Sequence, residues 1–150
     1  MIIRKATVKD IPAIKNIIDI YAKQEMMLPR SLSELYEFTR SFCVCEIDNE
    51  IIGCCALHVS WEDMAEVMSF AVRSEYRDQG IGTKLVNVSL KEAKELGISN
   101  VFTLTYAVPF FEKMGFKEID KQELPHKIWS GCIKCPKFPN CDEVAMLKKI

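Results

Sequence analysis

The sequence has no surplus of either charge sign. Twenty Lys and Arg face twenty-one Asp and Glu, a formal net charge of −1. So balanced a chain has no bulk attraction to a polyanion, which sets nucleic acid aside as a partner. Apolar runs of membrane-spanning length are also lacking, so no membrane partner is expected. The first residues, Met1-Ile2-Ile3-Arg4-Lys5, have neither the apolar core nor the small-residue cleavage site of an export signal. A cytoplasmic protein is therefore expected. Internal repeats, low-complexity tracts and linkers are missing too, and 150 residues fit one domain, 1–150. A paired cysteine framework is not expected either, because the seven Cys are odd in number and no export signal accompanies them.

What is present is an ordinary globular balance. About half the residues are apolar (49%) and about a quarter charged (27%), enough to bury a real core. Residues 2–6 read as a short first strand. Asp10 offers an N-cap with Pro12 in the first turn, and Ile11, Ile14, Ile17, Ile18 and Tyr21 recur at helical spacing. Met26-Met27-Leu28-Pro29-Arg30 interrupts that pattern. Ser31-Leu32-Ser33-Glu34 is a capping box opening a second helix to about Arg40, with Leu35, Phe38 and Phe42 on its buried side.

Residues 42–47 and 51–59 read as strands joined by the polar turn Asp48-Asn49-Glu50. Cys43, Cys45, Cys54 and Cys55 lie within them and are most simply small buried apolar residues. Ser60-Trp61-Glu62-Asp63 connects to a fourth strand over 65–72. A helix over 83–96 follows, lined by Leu85, Val86, Leu90, Ala93 and Leu96 and closed by Gly97. Residues 101–105 form a fifth strand, 109–114 a short helix ended by Gly115, and 116–120 and 144–148 the last two strands. Between them, 122–142 is the longest stretch without periodicity. Such loops carry function or a local staple.

The organising stretch is Arg77-Asp78-Gln79-Gly80-Ile81-Gly82-Thr83, between the fourth strand and the helix that follows it. A glycine-bearing turn at a helix start leaves N–H groups free, with the positive end of the helix dipole behind them. That combination holds phosphate, and Gly lets the anion approach the backbone. Taken alone, a G-x-G turn is an ordinary strand-to-helix connection.

The spacing Arg77-x-x-Gly80-x-Gly82 resembles the pyrophosphate loop of the GNAT acyltransferase superfamily, and Pro109-Phe110-Phe111-Glu112-Lys113-Met114-Gly115-Phe116 resembles its late helix and strand. The resemblance implies an α/β (α+β) fold: a mixed, mostly antiparallel seven-stranded sheet with helices on both faces. It implies a fourth and fifth strand that splay apart around the pantetheine arm of acetyl-CoA. It also implies cofactor contacts from Phe70, Ala71, Val72, Arg77, Asp78, Gln79, Gly80, Ile81, Gly82, Thr83, Phe111 and Lys113.

Further segments resemble amino-acid N-acetyltransferases that make N-acetylglutamate: Leu28-Pro29-Arg30-Ser31-Leu32-Ser33-Glu34, Ala65-Glu66-Val67-Met68-Ser69-Phe70, Phe102-Thr103-Leu104-Thr105-Tyr106, and the tail from Leu124-Pro125-His126-Lys127 to Cys141-Asp142-Glu143. The likeness is to the short single-domain form, without the kinase-like domain that carries arginine feedback in the long form. What it implies is transfer of acetyl from acetyl-CoA to the α-amine of L-glutamate, a first step toward arginine. Other small amines, a protein N-terminus, or a non-catalytic acetyl-CoA-binding module are the alternatives, and a homodimer is allowed.

Glu66 stands where this superfamily often keeps its general base, and burial beside an apolar strand would raise its pKa to a useful value. Strand alternation alone also allows an outward-facing residue there. Many relatives place a Tyr in the late helix to protonate the departing thiolate; here the position is Phe111, so Tyr106 and Thr105 are the nearest hydroxyls, with a plain core or strand role, or departure without a protein acid, as the other readings. Arg30, Arg73 and Lys127 are the implied acceptor-binding cations, with CoA phosphate as the alternative partner of Arg73, though each is by default a surface charge. Cys132, Cys135 and Cys141 resemble part of a structural zinc site, with His126, Cys43 or Cys45 as a fourth ligand; free thiols or a local disulfide are the other readings. No catalytic metal is expected.

Overall fold

A computed structural model describes residues 1–124 and 142–150. Its elements are β1 (Ile2–Lys5), α1 (Ile11–Lys23), α2 (Leu32–Glu37), β2 (Phe42–Ile47), β3 (Glu50–Trp61), β4 (Met64–Val72), α3 (Ile81–Glu95), β5 (Asn100–Thr105), α4 (Val108–Lys113), β6 (Lys117–Ile119) and β7 (Val144–Lys149). One seven-stranded sheet runs β1-β2-β3-β4-β5-β7-β6, antiparallel at every neighbour except β4 and β5, which are parallel. Helices cover both faces. Ile11, Ile14, Ile17 and Ile18 of α1 and Leu35 of α2 pack with Val44, Cys54 and Ala71 on one face. Ile81, Leu85, Val86 and Ala93 of α3 and Phe111 of α4 pack with Cys43, Cys45, Cys55 and Val67 on the other. The four strand cysteines are buried free thiols, and burial raises the pKa of each.

Several boundaries differ from the sequence reading, each for a local reason. The β3–β4 connection shrinks to Glu62-Asp63 because Trp61 pairs with Met64, extending β3 beyond residue 59. The second helix stops at Glu37, where the Thr39 hydroxyl donates to the Tyr36 carbonyl (2.7 Å) and a short 3-10 turn follows. Asp10 does not cap α1 with its side chain. It accepts from the Thr7 amide (2.7 Å) and pairs with Arg4 (2.8 Å), which holds its carboxyl below the usual range. Leu96 is not on the buried side of α3 but 57% exposed past its end. The Ser31–Glu34 capping box is present, with the Glu34 amide 3.1 Å from Ser31 Oγ.

Two features of the sheet shape the site. The first is how little β4 and β5 share: only Met64, Ala65 and Glu66 pair, with Asn100, Val101 and Phe102. Beyond that fork the strands part, and the Thr103 hydroxyl meets the Val67 carbonyl (2.9 Å) where the next rung would have been. The second is a bulge in β4. Cys54 faces Ala71 but Ala56 faces Met68, so Ser69 and Phe70 stand opposite Cys55 alone. Ser69 takes φ +51, and β4 bends there.

Candidate active site

The parting strands open a cleft of about 800 Å³ that runs from Arg30 and Glu66 to the N-terminus of α3. At the α3 end the chain leaves β4 at Val72, makes a short turn, and enters α3 through Gly80, which sits in the left-handed region at φ +78. The amides of the first helical turn have no carbonyl four residues back to bond, so they point outward under the helix dipole. Arg77, Asp78, Gly80, Ile81, Gly82 and Thr83 all line the cleft. So do Phe70, Ala71, Val72, Phe111 and Lys113; Gln79 of the same loop does not.

The two loop glycines serve different needs. A Cβ on Gly80 would touch nothing within 4 Å, so only its positive φ calls for glycine. A Cβ on Gly82 would stand 2.9 Å from the tip of the Phe70 ring and 3.4 Å from Phe110, and those rings stack at 5.1 Å. We therefore expect Gly82→Ala to displace Phe70 and crowd the α3 amides. Acetyl-CoA affinity should fall about tenfold, ~1.4 kcal/mol, by titration calorimetry. Gly80→Ala should instead cost about 1–2 kcal/mol in folding. Equal affinity for Gly82→Ala and wild type would show that the loop tolerates a side chain at that turn.

Tyr21 joins this end to α1 and was not foreseen as a site residue. Its 8% exposure and place on the apolar face of α1 read as core alone. Its hydroxyl donates to the Val72 carbonyl and accepts from Arg77 Nη2 (3.4 Å), whose guanidinium lies 5.7 Å from the ring centre. The Arg73 amide bonds the Ile52 carbonyl (2.8 Å), so by antiparallel alternation Val72 turns its own N–H away from β3, toward the opening.

At the other end Glu66 occupies the last rung of the fork, opposite His58 of β3 and Phe102 of β5. Burial pushes its carboxyl up to about 7; the Arg30 guanidinium pulls it down and Glu143 adds to the rise. Arg30 lines the same cleft with its side chain 21% exposed. Position alone suggested a solvated surface arginine, but its Nε is buried and bonds no atom among the described residues. Its Nη1 lies 3.5 Å from Glu34. The cleft thus holds a guanidinium whose Nε is unbonded among the described residues and a carboxyl whose pKa is raised to about 7.

The remaining candidates fall elsewhere. Arg73 lies on a second depression, with Lys9, Glu46 and Glu50, and not in the cleft. Tyr106 lines the cleft, but its hydroxyl donates to Asp142 (2.5 Å). The Thr105 hydroxyl accepts from the Ala107 amide (2.8 Å). Phe111 is fully buried, edge-on to Phe70, Phe110 and Phe116. Lys127, His126, Cys132, Cys135 and Cys141 lie outside the described residues. Among the described ones no group of His, Cys, Asp and Glu could hold a metal, and Cys43 and Cys45 lie within the core. Zinc thus finds no support among the described residues. No helix among them is long and apolar enough to cross a membrane.

A splayed parallel pair, a bulged fourth strand and a glycine turn on a helix N-terminus define an acyl-CoA transferase fold. The chain matches the acetyltransferase (GNAT) family over residues 13–116, and it belongs to that family. It is an N-acetyltransferase that draws its acetyl group from acetyl-CoA. An uncharacterized N-acetyltransferase of Chlorobaculum tepidum is 41% identical over 99% of this chain and 96% of its own. The amino-acid acetyltransferase of Mycobacterium tuberculosis is 38% identical over 79% of this chain and 70% of its own. N-acetylglutamate synthase from Neisseria gonorrhoeae, solved with coenzyme A and N-acetyl-glutamate, superposes with a TM-score of 0.91 at 27% identity, covering 99% of this chain and 34% of that longer one.

Proposed function

We propose that the protein, working as a single domain, transfers the acetyl group of acetyl-CoA to the α-amine of L-glutamate, as an N-acetylglutamate synthase does. One observation carries the reading: Glu66 at the fork, raised to about 7 by burial, senses Arg30 across the same cleft. An amino acid supplies both groups this pair calls for. Its carboxylate accepts from Arg30, where a guanidinium edge suits a planar anion. Its ammonium meets Glu66, which removes a proton directly or through a water so that nitrogen can attack the thioester.

The Val72 amide, turned into the opening, donates to the developing oxyanion. The amides of Gly80 to Thr83, with Arg77, hold the diphosphate. Phe111 has no hydroxyl to offer the leaving thiolate, and that of Tyr106 donates to Asp142. A thiolate whose conjugate acid has a pKa of about 8.5 can depart without a protein acid.

The test is thiol release from acetyl-CoA against the twenty amino acids, simple amines, polyamines and N-terminal peptides. We expect glutamate to be the best acceptor and polyamines to be inert. Turnover confined to polyamines or peptides would overturn the acceptor, and no turnover at all would favour a binding module.

A further inference from the structure

Arg30 sits in a poor place for a specificity residue. It belongs to the stretch 26–30 between α1 and α2, outside any helix or strand, and Met26 at its start is 48% exposed. A side chain on such a stretch would sweep a wide arc unless something fixed its base. The fixing group comes from α1. Lys15 Nζ donates to the Arg30 carbonyl at 2.7 Å and to Asp19 Oδ1, one turn along, at 2.8 Å. The first bond is charge-assisted and part-buried, the kind that survives in water.

The head of Arg30 is fixed separately. Glu34 lies 3.5 Å from Nη1, and Glu34 is itself held by the Ser31 capping box. Lys15 thus clamps the main chain of Arg30 from one helix while Glu34 steadies its guanidinium from the next. Arg30 lines the cleft, and its Nε is buried with no bond among the described residues.

We propose that Lys15 is a positioning residue for acceptor recognition: through the Arg30 carbonyl it sets where the guanidinium meets the acceptor's carboxylate. This rests on the reading of Arg30 given above. Lys15 is not among the residues that line the cleft, and it is half-buried. The bland account is a helix-surface pair with Asp19, which would leave the kinetics alone.

Steady-state kinetics of the full chain separate the two. Lys15→Met keeps the aliphatic stem and removes the donor. Its Michaelis constant for glutamate should rise about tenfold while that for acetyl-CoA stays fixed. Lys15→Arg, which can still donate to a carbonyl, should restore most of the loss. Asp19→Asn removes the surface pair but leaves the clamp, and should keep the wild-type constant for glutamate. The proposal is overturned if Lys15→Met leaves the glutamate constant unmoved, if both constants shift together with a lowered Tm, or if Asp19→Asn reproduces its effect. Should wild type ignore glutamate but use another carboxylate-bearing amine, the function reading fails and the same comparison is made with that amine. Should it use only amines without a carboxylate, both fall.

Discussion

Glu66→Gln should lower kcat by two to four orders of magnitude, roughly the share that a positioned general base contributes. The substitution keeps shape and hydrogen bonding but cannot accept a proton. Acetyl-CoA affinity should not move, because the diphosphate loop and the Phe70–Val72 segment lie further along the cleft. The pH profile offers a second signature. With its carboxyl raised to about 7, the wild-type enzyme should gain activity as pH rises through 7 and Glu66 deprotonates. That limb should vanish in the variant. Stability should move the opposite way. A carboxyl raised in the folded state favours the fold while protonated, so stability falls as pH climbs from the ordinary 4.5 through about 7. A rise of that size corresponds to on the order of 3 kcal/mol, and Gln removes the charge that costs it. The variant should therefore melt higher than wild type at pH 8 and alike at pH 4. Unchanged turnover at pH 7.5 would remove Glu66 from the chemistry.

Arg30→Ala is the second large effect. Losing a charge-assisted bond to a carboxylate costs roughly 2–3 kcal/mol, so the Michaelis constant for glutamate should rise about thirty- to hundred-and-fifty-fold. That for acetyl-CoA should hold. A further readout follows from the pull that Arg30 exerts on Glu66. Without the guanidinium, burial acts unopposed and Glu66 keeps its proton to higher pH. The acidic limb should shift to higher pH. Equal effects on both substrates, with no shift of that limb, would place Arg30 outside the acceptor site.

Most of the sheet could be read from the chain because its strands are short runs between clear turn signals. Asp48 and Asn49 both take positive φ in the β2–β3 turn, which suits those residue types. The glycine turn into α3 was legible because Gly80 and Gly82 have spacing-specific duties. Acceptor groups were harder. Arg30 looked like a surface residue because its burial comes from chain folded back after α1, which no local pattern reveals. Tyr21 looked like core because helical periodicity reports which face is apolar and says nothing of a hydroxyl at the tip. Arg73 neighbours the loop in sequence yet faces away from the cleft, since alternation along an extended segment sends adjacent side chains to opposite sides.

The sheet is in effect two blades riveted at one corner, with three residue pairs of β4 and β5 as the rivet. Past it, backbone groups on the facing edges have no neighbouring strand to bond. On the proposed reading, the amides of the pantetheine arm slip into that gap and serve as a guest strand. Loading the thioester would then stiffen both blades.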